Sequence, residues 1–235
     1  MYSIESRIRY SETDNNEELT LPAVIDYFQD VAIFHSEDIG AGGRALKEDG
    51  QAWVLCSWQI EIIRLPKYAE RVRISTKPYE FRSFVGNRNC MITDLDGNML
   101  VKANSIWAFM DMVNLRPVTV PEKVRERFGL EEKLEMDYKP RRIAIPDEGG
   151  ELLAPIVVER QHLDSLGHVN NGQFVKLALS VSERKTPAKN IRVEYKTQAH
   201  LGDILVPVRY SLPDKEIIVL KTTEDGIYTT LELAD

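Results

Sequence analysis

Two stretches of the chain carry apolar residues at helical spacing. In the first, Leu21, Ile25, Phe28, Val31 and Ala32 share a face with His35, and Pro22 suits a first helical turn. In the second, Phe174, Leu177, Ala178 and Val181 follow Asn170 and Asn171, either of which caps a helix by accepting from its unpaired first-turn N–H groups. After each helix the pattern turns β-like, with runs of branched and aromatic residues between short polar breaks. The runs after the first are Trp53–Leu65, Arg71–Glu80, Val85–Asp94 and Met99–Met110, with Asp96-Gly97-Asn98 a good hairpin turn. Those after the second are Ile191–Thr197, Ile204–Leu212, Glu216–Thr222 and Gly226–Leu233. Further strands are expected at Ile8–Asp14 and near Pro155–Val158, and Gly40-Ala41-Gly42-Gly43 opens a loop with room for a short helix. The pattern predicts an α+β chain in which an antiparallel sheet wraps a helix, twice over. The first domain would cover residues 1–130, a charge-rich linker 131–150, and the second domain 151–235.

The second half repeats the first. Thr13-Asp14 ahead of the first helix matches Leu163-Asp164 ahead of the second, at 164 − 14 = 150. Ile60-Glu61 with Ala69-Glu70 matches Val193-Glu194 with Gly202-Asp203, at 194 − 61 = 133, and Asp96-Gly97 matches Asp225-Gly226, at 225 − 96 = 129. Collinear matches with a shrinking offset imply a duplication whose second copy has shorter connectors. In this alignment Glu18 of the first copy stands where the second has His168, so only the second copy is expected to carry an active site.

Composition narrows the field. At 235 residues and 43% hydrophobic content the chain can bury a sizeable core. No apolar run is long enough to span a bilayer, and Met1-Tyr2-Ser3-Ile4-Glu5-Ser6-Arg7 lacks the apolar segment of a signal peptide, which points to the cytoplasm and to no membrane partner. A formal net charge of −7 argues against nucleic-acid binding. Cys56 and Cys90 lie in β-like stretches without metal-ligand spacing and read as buried thiols. No His/Cys cluster or glycine-rich phosphate loop has the required spacing, so neither metal nor cofactor is expected.

The chemistry concentrates in Asp164-Ser165-Leu166-Gly167-His168-Val169-Asn170-Asn171-Gly172-Gln173-Phe174. Within eleven residues it holds a carboxylate, an imidazole and a helix N-terminus whose N–H groups would face an oxyanion. The plainer reading is an ordinary asparagine cap in a polar loop. His35 reads as a hydrogen-bonded core residue, while His162 and His200 look exposed and carry no assignment.

The pattern D-x-x-G-H-V-N-N-x-x-aromatic resembles the signature of hot-dog thioesterases, and the whole chain resembles the acyl-acyl carrier protein (acyl-ACP) thioesterases of plants and bacteria. The resemblance rests on Gln29-Asp30-Val31-Ala32-Ile33-Phe34-His35, Trp53-Val54-Leu55, Arg64-Leu65-Pro66, Gly86-Asn87-Arg88, Ala103 through Met110 before Arg116-Pro117, His168-Val169-Asn170-Asn171 and Val193-Glu194-Tyr195-Lys196. It implies a tandem (double) hot-dog, two antiparallel sheets each wrapped around a long helix, with an acyl tunnel in the first half that Phe28, Trp53 and Trp107 would line. It also implies hydrolysis of acyl-ACP to a free fatty acid. Asp164 would serve as base or nucleophile, withdrawn from water by Leu163 and Leu166. His168 would orient the thioester or water, or protonate the leaving thiolate; N–H groups of Asn170 to Gly172 would hold the oxyanion, and Gln198 would position water. The plant enzymes' Asn two residues after the Asp is Leu166 here, and their Glu-Cys pair falls on Gln198-Ala199. The spacing is also similar to single-domain bacterial acyl-CoA thioesterases of the 4-hydroxybenzoyl-CoA type, so acyl-CoA hydrolysis and non-catalytic binding of acyl thioesters stay open. An acidic carrier protein would dock on basic residues, foremost Arg184 and Lys185 with Lys189, Arg192, Lys196, Arg141 and Arg142 nearby. Exposed sheet edges leave a homodimer open.

Overall fold

In the computed structural model, which describes residues 1–235, both helical stretches are helices and most β runs are strands. The elements run β1 (Tyr2–Arg7), α1 (Leu21–Asp38), α2 (Gly43–Lys47), β2 (Gln51–Ile62), β3 (Arg71–Arg82), β4 (Val85–Asp94), β5 (Met99–Asp111), β6 (Arg116–Pro117) and α3 (Glu122–Arg125). They continue with β7 (Glu151–Leu152), β8 (Ile156–Val157), α4 (Asn171–Leu179), β9 (Asn190–Tyr195), β10 (Ile204–Ser211), β11 (Lys215–Lys221) and β12 (Ile227–Ala234). Single 3-10 turns lie at Tyr10–Glu12 and Arg160–His162. The chain divides into a first unit, Met1–Trp58 with Ile62–Lys139, and a second, Gln59–Glu61 with Pro140–Asp235.

In the first unit the strand order is β1-β3-β4-β5-β2 and the pairs β1–β3, β3–β4 and β4–β5 are antiparallel. Helix α1 starts where Thr20 Oγ accepts from Ala23 N–H (3.4 Å) and Pro22 removes a second donor that would otherwise go unpaired. It buries Val24, Ile25, Phe28 and Val31, all at 0% exposure, and packs on β1, β3 and β4. Each such side chain contributes about 1.5–3 kcal/mol by leaving water, so this face is what holds the helix in place. In the second unit the order is β9-β12-β11-β10, with β7 and β8 both pairing β10. Its core gathers Ile143, Val208, Tyr210, Ile217 and Val219.

Four expectations need correction. The first strand is Tyr2–Arg7 rather than Ile8–Asp14, because the chain after Ile8 curls around Glu12, whose Oε2 accepts from Arg9 N–H (2.9 Å) and Tyr27 O–H (2.9 Å). The second helix is not long: α4 has 9 residues against 18 in α1. The stretch 131–150 is no free linker. Its first part is bound into the first unit, with Glu131 N–H donating to Pro78 O (3.0 Å) and Leu134 N–H to Asn89 Oδ1 (2.9 Å). Its second part is bound into the other, where the Arg192 guanidinium donates to the carbonyls of Pro140 (2.6 Å) and Arg142 (2.9 Å) beside the buried Ile143. Finally, the last repeat offset is 128 and not 129. Asp94 N–H donates to Asn98 O (3.1 Å) as Thr222 N–H donates to Gly226 O (2.9 Å), and left-handed Gly97 matches left-handed Asp225.

The other offsets hold bond by bond. Leu19 N–H donates to Pro66 O as Val169 N–H donates to Ala199 O, both at 2.8 Å. Ala69 and Gly202, 133 apart, both adopt positive φ, 65° and 85°.

Candidate active site

The loop before α4 is built by its own carboxylate. Asp164 Oδ1 accepts from the N–H groups of Leu166 (2.8 Å) and His168 (3.2 Å), and Asp164 N–H donates to His168 O (2.8 Å). The tight turn this makes needs φ +80° at residue 167, which glycine adopts without strain. Asn170 then caps α4 by accepting from Gly172 N–H (2.7 Å), and Tyr195 O–H donates to Asn171 O (3.1 Å).

The first unit contains the same loop, offset by 150. Asp14 Oδ1 accepts from the N–H groups of Asn16 (2.8 Å) and Glu18 (3.0 Å), and Asp14 N–H donates to Glu18 O (2.9 Å). The two copies differ at three atoms that matter for chemistry. In the first, the Asn16 amide reaches Asp14 Oδ2 (3.4 Å); in the second Leu166 takes the place of Asn16, and Asp164 Oδ2 makes no hydrogen bond within the chain. Position 18 holds a glutamate, position 168 an imidazole. In the first helix Pro22 has no N–H and the third N–H goes to the Thr20 cap; in α4 the cap takes the second, and the third, Gln173 N–H, has no acceptor within the chain.

These details redistribute the expected roles. Asn170 N–H donates to His162 O (2.9 Å) and Gly172 N–H to the cap, so neither is open to an oxyanion, whereas Gln173 N–H, outside the expected span, has no acceptor within the chain. Leu166 is 78% exposed and does not shield Asp164. Gln198 is exposed and makes no hydrogen bond within the chain, although Ala199 beside it is pinned to the loop through Val169. His162 is half-buried rather than exposed, its Nδ1 accepting from Glu159 N–H (3.0 Å). His200 is exposed, yet its ring meets that of His168 edge to face, with centroids 4.9 Å apart. Only the repeat offset hinted at this contact: His200 matches Lys67, which forms a backbone bridge with Glu18, the counterpart of His168.

The basic face is smaller than expected. Arg184 is tied to the Asp235 carboxylate and to Leu233 O (3.5 Å), and Arg192 to Glu232 (2.8 Å), so neither is a free cation; Lys185 is exposed. In the first unit, Phe28 is buried against Trp58, and Trp53 lies among Phe81, Phe109 and Phe128 with centroids 4.8 to 6.2 Å away. Trp107 is half-buried, its Nε1–H donating to Ser105 Oγ (2.9 Å). His35 is hydrogen-bonded as expected but half-buried rather than in the core: its Nδ1 lies 3.3 Å from Nη1 of the buried Arg88. Burial first, and the Arg88 charge second, lower its pKa to about 4.

Two helices of unequal length, each on an antiparallel sheet and each entered through the same carboxylate-closed loop, define a tandem hot-dog protein. Residues 1–128 match the acyl-ACP thioesterase N-terminal domain, more than half of the chain, and the chain belongs to that family. It is 24% identical over 226 residues to an acyl-[acyl-carrier-protein] hydrolase of Cuphea viscosissima, covering 89% of this chain and 54% of that protein. It is 22% identical over 248 residues to an oleoyl-acyl carrier protein thioesterase of Arabidopsis thaliana, covering 95% of this chain and 66% of that one. The chain thus spans about half to two thirds of the length of these curated relatives. Its fold is similar to that of an acyl-ACP thioesterase from Bacteroides thetaiotaomicron (TM-score 0.90, 20% identity, 99% of this chain and 96% of the other). It is similar also to a 12:0-ACP thioesterase from Umbellularia californica (TM-score 0.87, 16% identity, 99% and 96%).

Proposed function

We propose that this chain hydrolyses acyl thioesters carried on ACP, releasing the free fatty acid, with the chemistry in the second unit and the acyl chain held by the first. Support comes from the contrast between the two copies of one loop. The second copy alone combines an open carboxylate oxygen, an imidazole and an open first-turn N–H, the three groups that thioester hydrolysis calls for. Asp164 Oδ2 takes a proton from water as the water oxygen adds to the carbonyl carbon. Gln173 N–H holds the resulting oxyanion, and His168 orients the thioester. Collapse restores the carbonyl, breaks the C–S bond and passes the Asp164 proton to the departing thiolate. Family membership and the names of the relatives favour ACP over coenzyme A as carrier.

The test is free-thiol release from acyl-ACP and acyl-CoA of matched chain length, in wild type and His168→Ala. Release from acyl-ACP that His168→Ala largely abolishes is the expected result. Faster release from acyl-CoA would reassign the carrier, and binding without release would make this a binding protein on a thioesterase scaffold.

A further inference from the structure

We propose that His200 is a positioning residue for His168, a step that rests on the catalytic reading above. The His168 ring makes no hydrogen bond within the chain, so the loop fixes its backbone through Asp164 but leaves the imidazole free to turn. The His168 ring meets the His200 ring edge to face, at 4.9 Å between centroids and 79° between planes.

His200 is itself anchored away from the loop. Its backbone N–H donates to Asp203 Oδ2 (2.9 Å), and its Nδ1 lies 3.9 Å from the same oxygen. Tyr228 O–H on β12 donates to that oxygen as well (3.2 Å); burial and then the Asp203 charge raise the phenol's pKa, so it stays a donor. The Tyr228 ring stacks on Phe174 in the first turn of α4, at 6.2 Å. The frame behind His200 therefore belongs to the sheet and to the helix whose N-terminus forms the site. Asp164, Asp203 and Tyr228 are the titratable groups in direct contact with this frame and with the loop it supports.

The repeat points the same way. In the first unit the matching positions are Glu18 and Lys67, which meet in a backbone bridge, so this slot joins the loop to the turn ahead of the next strand. The second copy fills it with two imidazoles. An edge-to-face pair favours one ring orientation by roughly 3- to 10-fold in population, which is the share of turnover its loss should remove.

The experiment compares His200→Ala, His200→Gln and His200→Phe with wild type, reading kcat and KM for thiol release and the proton resonances of the His168 ring. Alanine and glutamine should lower kcat about 3- to 10-fold at unchanged KM and abolish the ring-current shift of His168; phenylalanine, which restores an aromatic edge, should recover both. His200 has a side chain 59% exposed, so these variants should fold. If His168→Ala abolishes release while His200→Ala leaves kcat and the His168 resonance unchanged, this inference falls and the hydrolase reading stands. If wild type releases no thiol, the hydrolase reading falls, and the resonance alone decides whether His200 orients the ring.

Discussion

In the proposed mechanism Asp164 has two jobs, closing a loop and taking a proton, and the first copy of the loop supplies a control that does only the first. Asp14 and Asp164 each accept two backbone N–H groups on Oδ1, at 2.8 and 3.0 Å and at 2.8 and 3.2 Å. Replacing either by asparagine keeps an oxygen in that place and removes the charge. Bonds to a charged acceptor are worth about 1.5–3 kcal/mol and neutral ones about 1, but Asp14 is exposed and Asp164 only half-buried, so solvent screens the difference to roughly 1 kcal/mol per loop. For a chain of this size that corresponds to a fall of about 2–4 °C in Tm, the same for both variants. Their activities should separate. An amide cannot act as a base, so Asp164→Asn should lose about 10²- to 10⁴-fold in kcat, while Asp14→Asn keeps wild-type turnover. The assay is thermal unfolding alongside free-thiol release on both variants. Equal activity in Asp14→Asn and Asp164→Asn, at equal loss of Tm, would reduce Asp164 to a loop former and refute the assignment.

Other outcomes follow from the same geometry. Gln173→Pro removes the open N–H within a first helical turn, where proline is tolerated; kcat should fall about 10²- to 10³-fold with little loss of stability, and unchanged kcat would place the oxyanion donor elsewhere. His35 has a folded-state pKa of about 4 against 6.5 in the free side chain, so its contribution to stability is complete above 6.5 and lost as pH falls toward 4. The urea midpoint should therefore drop less between about pH 7 and about pH 5 in His35→Gln than in wild type, and equal drops would show that His35 does not couple folding to pH. Lys185→Glu should raise KM for acyl-ACP and leave small thioesters unaffected, whereas Arg184→Glu should lower Tm by breaking the tie to Asp235; a selective KM effect in Arg184→Glu alone would reverse that division.

One scaffold therefore appears twice in this chain with different atoms exposed. In the first unit three of the loop's polar positions are closed: Asn16 bonds Asp14, Thr20 takes the Ala23 N–H, and Pro22 stands where a donor would be. In the second, three substitutions open the same frame: Leu166 for Asn16, His168 for Glu18, and a cap one residue shorter. The loop-closing backbone bonds are the same in both copies, so one frame carries two different sets of side chains.

The α+β class, the two helix starts, nearly all the strands and the duplication were legible in the sequence, because each depends on local periodicity, on capping and turn residues, or on order along the chain. The loop holding Asp164 and His168 was legible for the same reason: its residues are contiguous. What the sequence left undetermined depends on which groups compete for one partner. Whether a cap takes the second or third N–H of its helix decides that Gln173, and not Gly172, is open, and composition says nothing about that choice. Whether a cation is free depends on a carboxylate far along the chain, as Asp235 is for Arg184, and whether Ile8–Asp14 extends depends on Tyr27 reaching back to Glu12. His200 lies 32 residues beyond His168, and only the folding of β9 back past the loop brings the two rings together.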